Sequence, residues 1–253
     1  MQVDMTTLPQ RMKKLPIDEK FGVPVPWFVD WLHGKPEFRA MDRVKFRRAI
    51  KERLCWVCGE PLGRWLAFPI GPMCAVTRTT SEPPCHRECA EWSMKNCPFL
   101  SDPRMERRTD GLPEGVREAP GIPINRNPGV MCLWMTRQYE TFPVADGRLL
   151  ITVGTPEQVT WWREGREATR EEVQASLDSG VPVLLAGAKT EGRFAVEALG
   201  KQVAAVEALL PPTSTPPPLA EAVQSVLDRL QRYDRPYSAT SPPTDRPSRD
   251  AQR

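Results

Sequence analysis

The chain lacks the short motifs by which common enzyme classes are identified. It contains no Gly-rich phosphate-binding loop, no G-x-S-x-G sequence and no H-E-x-x-H sequence. It also has only 2 histidines in 253 residues, which leaves little room for imidazole-based catalysis. We therefore expect a protein that binds a partner rather than an enzyme, and no small-molecule substrate is evident.

Long apolar runs are missing as well. The first residues, MQVDMTTLPQRMKK, have no apolar core of a signal peptide, and no run approaches the length of a membrane span. The hydrophobic fraction of 40% is slightly low and 28 prolines are many, which indicates folded parts joined by irregular segments. We expect a cytoplasmic protein without membrane association, whose 7 cysteines are thiols or metal ligands rather than disulfides.

Six of the seven cysteines fall between Cys55 and Cys97, and four residues there have the spacing of a metal site. In CWVCGEPLG, Cys55 and Cys58 can point at one ion while Gly59 takes the left-handed conformation that closes the turn. In PPCHRECAEW, His86 and Cys89 begin a predicted helix, and one helical turn brings such a pair onto one face. Three thiolates and one imidazole suit tetrahedral Zn²⁺.

The ligand assignment has alternatives at this level. Cys85 or Cys74 can replace His86 to give a site of four cysteines, and Cys97 at the end of the predicted helix is a further thiol. Either way four protein ligands close the coordination shell, whereas catalytic zinc usually keeps an open position for water. The sequence therefore predicts structural Zn²⁺ rather than catalytic Zn²⁺.

Residues 54–97 resemble a treble-clef zinc finger, in which a knuckle and a hairpin precede a helix that donates the last two ligands. The whole chain also resembles an uncharacterised family of phage- and prophage-encoded proteins, through the stretches CWVCGEPLG, IGPMCAVTR, SEPPCHRECA, CPFL and WWREGREATREEV. The resemblance implies a phage or mobile-element protein in the cytoplasm of a bacterial host. It brings no function with it.

A basic helix is predicted directly before the knuckle, from Asp42 to Leu54. The segment FRAMDRVKFRRAIKER carries seven Lys/Arg against two Asp/Glu, and residues 1–110 have a net charge of +5 against −2 for residues 111–253. Such a helix beside a rigid metal module can bind the phosphates of DNA or RNA. The candidate contacts are Arg43, Arg47, Arg48 and Lys51. Trp56, Trp65 and Trp92 lie nearby in sequence and can stack on bases, but we expect all three in the core.

The pattern along the chain predicts an α+β protein: a small treble-clef-like zinc module, a second part of strands followed by helices, and a disordered C-terminal tail. The boundaries we expect are residues 1–110 for the zinc-binding domain with the basic helix, 111–128 for a Pro/Gly-rich linker, 129–210 for a small antiparallel sheet with helices, and 211–253 for the tail. In the second part, TPEQVTWWREG is predicted as a short helix. A second helix is predicted to begin at a Thr169–Glu172 capping box and to end at Gly180.

Three functions are compatible with these features. The first is a zinc-stabilised protein of a phage or mobile element that contacts nucleic acid through residues 42–53. The second is a protein-interaction adaptor with the same structural zinc site. The third, an HNH-like nuclease, is weakly supported, because His33 is the only histidine left once His86 binds metal.

Overall fold

The structure, a computed structural model, describes residues 3–106, Gly111, 127–145 and 147–212, together with Gln224 and Asp228. Most of the predicted linker and of the predicted tail lies outside the described residues, so their predicted character is not addressed. No helix within the described part of the chain is both long enough and apolar enough to cross a membrane.

The described chain contains both helices and antiparallel strands, which confirms the α+β class. The strands are β1 Val29–Leu32, β2 Lys35–Met41, β3 Leu66–Ile70, β4 Thr79–Thr80, β5 Met131–Thr136, β6 Tyr139–Pro143, β7 Leu149–Val153, β8 Gln158–Arg163 and β9 Arg166–Glu167. The helices are α1 Arg43–Glu52, α2 Pro72–Thr77, α3 Arg87–Asn96, α4 Pro98–Ser101, α5 Arg170–Glu191 and α6 Arg193–Glu207, after two 3₁₀ turns at Met5–Thr7 and Gln10–Met12.

Three sheets organise these strands. A four-stranded sheet has the order β3-β5-β8-β9, a three-stranded sheet has the order β4-β7-β6, and β1 and β2 form a separate hairpin. All pairings are antiparallel. The sheet of β3 and β5 is the centre of the fold, because all six residues of β5 are buried.

The predicted division into domains at 111–128 differs from the arrangement found. Strand β3, from the predicted zinc domain, pairs with β5, from the predicted second domain, along their whole length from Leu66↔Thr136 to Ile70↔Cys132. Side chains from both parts also share one apolar core, in which Met131 and Leu133 pack in the same cluster as Trp56 and Cys89. The two regions therefore belong to one compact unit and not to two separately folded domains.

The second part does contain strands followed by helices, but two local predictions are wrong. The segment predicted as a short helix forms β8, which pairs with β5. The capping box is present, since Thr169 accepts from the Glu172 backbone amide and Glu172 accepts from that of Thr169, but α5 does not end at Gly180. The helix continues through Pro182 to Glu191.

Helix α1 is positioned against the segment that precedes it and the one that follows. Asp42 caps its first turn by accepting from the amides of Val44 and Lys45. At the other end, Arg53 adopts a left-handed conformation and stops the helix one residue before the knuckle strand. Two residues thus separate the end of the basic helix from Cys55 of the predicted metal site.

Candidate metal centre

The first half of the site is a tight turn between two short extended segments. Leu54 pairs with Pro61, and the amide of Cys55 donates to the carbonyl of Glu60 at 2.7 Å. The amide of Gly59 closes the turn by donating to the carbonyl of Cys55 at 2.8 Å, with φ of 74° at Gly59. This left-handed conformation is one that glycine adopts without strain, so the knuckle follows from the sequence Cys-x-x-Cys-Gly.

The second half is the start of α3. His86 is the residue that precedes the first turn, and Cys89 lies within that turn. Backbone hydrogen bonds hold this segment in place: Trp56 of the first half donates to Pro84 at 3.0 Å, and Ala67 of β3 and Cys85 bond to each other in both directions. The amide of His86 also donates to the sulfur of Cys55, at 3.3 Å. Contacts within the chain therefore bring the two motifs together.

The four predicted ligand atoms form one cluster. The three sulfurs and the imidazole nitrogen of Cys55, Cys58, His86 and Cys89 all lie within 4.8 Å of one another, which confirms that this set could hold a metal ion. The Nδ1 atom of His86 is 3.4 Å from Sγ of Cys58 and 4.0 Å from Sγ of Cys89. With ordinary Zn–S and Zn–N bonds, the edges of a tetrahedral site are about 3.6 to 3.8 Å, close to these separations.

The other ring nitrogen of His86 has its own partner. Nε2 lies 3.1 Å from the carbonyl oxygen of Pro61, so Nε2–H donates to this acceptor. In the neutral ring that a metal ion would need, the proton would therefore lie on Nε2, and the lone pair of Nδ1 would be available on the side of the sulfurs. A hydrogen bond of this kind orients most metal-binding histidines.

The electrostatics of the cluster are those of a site that needs a cation. Burial alone would raise the pKa of Cys55, but hydrogen bonds from Cys58, Cys85, Cys89 and His86 lower it far below its usual value. The neighbouring Cys55 and Cys58 sulfurs raise the pKa of Cys89 and raise that of His86 to about 10. Protons on these two side chains balance the thiolate charge of Cys55, and a bound divalent ion would take their place.

The alternative thiols do not belong to the cluster. Cys85 contacts Cys55 through a side-chain hydrogen bond, which together with burial raises the pKa of Cys85. Cys74 lies on α2, where burial raises its pKa to about 11, and burial also raises the pKa of Cys97. None of the three is in the set of four within the described residues. Cys85 is instead a thiol beside the site that donates to one of its sulfurs.

The N-terminal segment connects both halves of the site. Arg11 donates to Glu60 of the knuckle and to Glu88 of α3, each at 2.8 Å. Lys14 pairs with Glu60 as well, at 2.5 Å. Since the groups are partly exposed, each ion pair is weak alone. Together they hold the 3₁₀ turn at Gln10–Met12 against the two ligand-bearing segments.

Three of the four basic residues predicted on α1 are available for contacts. Arg43, Arg47 and Lys51 are exposed, follow one another at four-residue spacing, and make no ion pair among the described residues. Arg48 is different, because it pairs with Glu52 at 3.1 Å and lies over the ring of Trp27. We call Arg43, Arg47 and Lys51 the α1 stripe.

Two of the three tryptophans predicted to lie in the core are buried, and the third is exposed. Trp56 and Trp92 are core residues, at 2% and 8% exposure, and Trp56 packs against Trp27, Phe28 and Phe46. Trp65 is 46% exposed, so the prediction of a core position was wrong for this residue. Trp65 lies directly before β3, after Gly63 and Arg64, and no local pattern in the sequence indicates its exposure.

His33 offers no support for a nuclease. It occupies the exposed turn between β1 and β2, with φ of 51°, and makes no hydrogen bond to the described residues. A general base needs a partner that orients it and a reacting group within reach. Among the described residues no side chain orients this histidine.

The order of ligand-bearing segments is knuckle, strand and helix, but α2 and β4 lie between β3 and α3, so the treble-clef resemblance stays a prediction. No family model, no curated protein and no solved structure matches the chain. Function must therefore be argued from the metal cluster, the α1 stripe and their surroundings.

Proposed function

We propose that this chain is a zinc-stabilised protein that binds nucleic acid through the α1 stripe. The observation that carries the proposal is the stripe itself. Arg43, Arg47 and Lys51 are exposed cations without ion pairs among the described residues, on a helix joined to the metal knuckle through Arg53. A row of unpaired cations at fixed spacing is suited to the regular phosphates of a nucleic acid backbone.

The ion that fits the cluster is Zn²⁺, since three thiolates and one imidazole are its usual ligands. Four protein ligands leave no position for a reacting water, so the ion stabilises the fold. Metal analysis of protein purified without chelators should give about one zinc per chain. Less than about one per two chains would contradict the proposal.

Nucleic-acid binding is tested by its dependence on salt. Each phosphate contact contributes about 0.9 to the slope of log K against log salt for duplex DNA, and about 0.7 for single strands. The double variant Arg43→Gln/Arg47→Gln should therefore lower the slope by about 1.4 to 1.8. A control double variant, Arg193→Gln/Lys201→Gln, removes two exposed cations of α6, one of them paired with Glu197, and should leave the slope unchanged. Equal slopes for both variants, or no binding of the parent protein at low salt, would contradict the proposal.

An adaptor is the second candidate, and one observation favours it. Phe21, Trp31 and Phe38 are exposed at 60%, 42% and 37%, and the rings of Phe21 and Phe38 meet edge to face. Exposed aromatic groups of this kind are common in protein interfaces. A protein partner that survives nuclease treatment and is lost with Trp31→Ser would favour this function. The phage or mobile-element origin stays a prediction.

A further inference from the structure

The exposed tryptophan at the entrance to β3 is paired with an arginine from the neighbouring strand. Leu66 lies opposite Thr136 in the sheet, so Trp65 and Arg137 extend the same antiparallel register by one residue. The guanidinium carbon of Arg137 lies 4.7 Å from the centre of the Trp65 ring. Stacking of this kind holds the indole in place while 46% of the residue faces solvent.

Trp65 is the most exposed of the eight tryptophans, all of which lie in the described part of the chain. Its position is not needed to fill the core, because Trp56 and Trp92 already occupy the space around the metal cluster. A large aromatic group kept at the surface and ordered by an arginine is an available stacking face.

The chain between the end of α1 and Trp65 carries further basic residues. Arg53 and Arg64 are exposed and make no ion pair among the described residues. The carbonyl of Arg53 accepts from the amide of Leu62 at 2.8 Å, which places the end of α1 beside the chain that leads to Trp65. Two residues, Gly63 and Arg64, lie between Leu62 and Trp65, so the Cα atoms of Leu62 and Trp65 are at most about 11 Å apart.

Two further observations locate this surface. Burial raises the pKa of Tyr139 on β6, and the charge of Arg53 partly offsets the effect, so Arg53 lies near this strand. Arg137 also pairs with Glu157 at 3.1 Å, but both side chains are more than 40% exposed and such a pair is weak. Lys51, Arg53 and Arg64 thus add three exposed cations without an ion pair among the described residues, while Glu52, which pairs with Arg48, interacts electrostatically with Lys51.

We infer that Trp65, stacked on Arg137, is a binding site for an unpaired nucleobase, and that the partner is single-stranded nucleic acid whose backbone continues along the α1 stripe. The inference rests on the proposed function and specifies its partner. A duplex keeps its bases stacked inside, whereas a single strand presents them to an aromatic face. The stripe spans about 12 Å of helix. The length of the stripe and the distance from Leu62 to Trp65 together correspond to a binding site of several nucleotides.

The test compares single strands with a duplex. Affinities for dT12, rU12 and a 12-base-pair DNA duplex are measured for the parent protein, Trp65→Leu, Trp65→Phe and the control Trp31→Leu, which removes a tryptophan of similar exposure from the β1–β2 hairpin. Trp65→Leu should weaken binding to the single strands about 5- to 150-fold, with the duplex affinity and the salt slope unchanged. Trp65→Phe should retain most of the affinity, and Trp31→Leu all of it.

The outcomes separate this inference from the proposed function. Equal losses for single strands and duplex, or equal losses for Trp65→Leu and Trp31→Leu, would overturn the stacking site. No effect of Trp65→Leu in a protein that still binds with a stripe-dependent salt slope would overturn it too, and would leave the proposed function standing. A parent protein that binds no nucleic acid would remove both. The affinities of the parent protein for dT12 and rU12, compared with each other, identify DNA or RNA as the preferred strand.

Discussion

The knuckle glycine provides a sharp test of how the metal site is held. Gly59 has φ of 74°, and a Cβ atom built there would lie 2.6 to 2.9 Å from three ring atoms of Trp27. Gly59→Ala therefore causes two separate problems. The left-handed conformation costs about 1 kcal/mol in an L-residue. The clash adds about 1 to 3 kcal/mol, because Trp27 is packed against Trp56 and cannot move freely.

A matched control separates these two contributions. Gly34, in the turn between β1 and β2, has φ of 76° and no atom within 4 Å of a built Cβ. Gly34→Ala should cost only the backbone contribution of about 1 kcal/mol, while Gly59→Ala should cost about 2 to 4 kcal/mol. Both are measured by equilibrium urea unfolding of the metal-loaded protein.

The double variant Gly59→Ala/Trp27→Ala provides the decisive comparison. Removing the ring removes the clash, so the two substitutions together should cost at least about 1 kcal/mol less than the sum of their separate costs. Metal content should fall in Gly59→Ala alone, since the distorted turn no longer points both thiolates inward. If Gly59→Ala costs no more than Gly34→Ala, the close approach of Trp27 is not a constraint and our account of the knuckle is wrong.

Two other predictions concern the ligands and the capping box. Cys89→Ser should reduce the metal content and the free energy of unfolding, whereas Cys97→Ser, at the end of the same helix, should leave the metal content unchanged. Hydrogen bonds from Arg166 lower the pKa of Glu172 from 4.5 to about 2. Because the folded-state pKa is the lower one, the carboxylate stabilises the fold above about pH 4.5, and this contribution disappears as the pH falls towards 2. Glu172→Gln should therefore lower the free energy of unfolding, measured with urea, by about 1 kcal/mol at pH 7. The loss should become progressively smaller from pH 5 to pH 3. A loss that does not depend on pH would contradict this prediction.

The metal cluster could be predicted from sequence because each half is local. Cys55 and Cys58 are ordered by one turn, and His86 and Cys89 by the first turn of one helix, so short spacings carry the geometry. The N-terminal end of α1 is predictable for the same reason, since Asp42 caps it directly.

The elements that were missed depend on distant parts of the chain. Strand β8 has a proline and a glutamate before it that favour a helix start, but β5 needs a partner on its second edge and takes residues 158–163. Gly180 has the sequence features of a helix end, yet a Cβ there would lie 2.7 Å from the side chain of Met73. Its small size serves packing between α5 and α2, which no local pattern indicates.

The same reasoning explains why a structural ion is useful to a protein that binds through this surface. The α1 stripe and Trp65 belong to segments on opposite sides of the knuckle, and Arg53 and Leu62, at its two ends, are joined by one hydrogen bond. If the knuckle opened, the α1 stripe and the indole of Trp65 would move independently. A nucleic acid bound to both would then lose affinity, because binding would have to fix their relative positions. An ion bound to Cys55 and Cys58 fixes the turn, and its bonds to His86 and Cys89 fix the turn against α3. In the proposed function the ion would thus set the distance between the phosphate contacts and the stacking site.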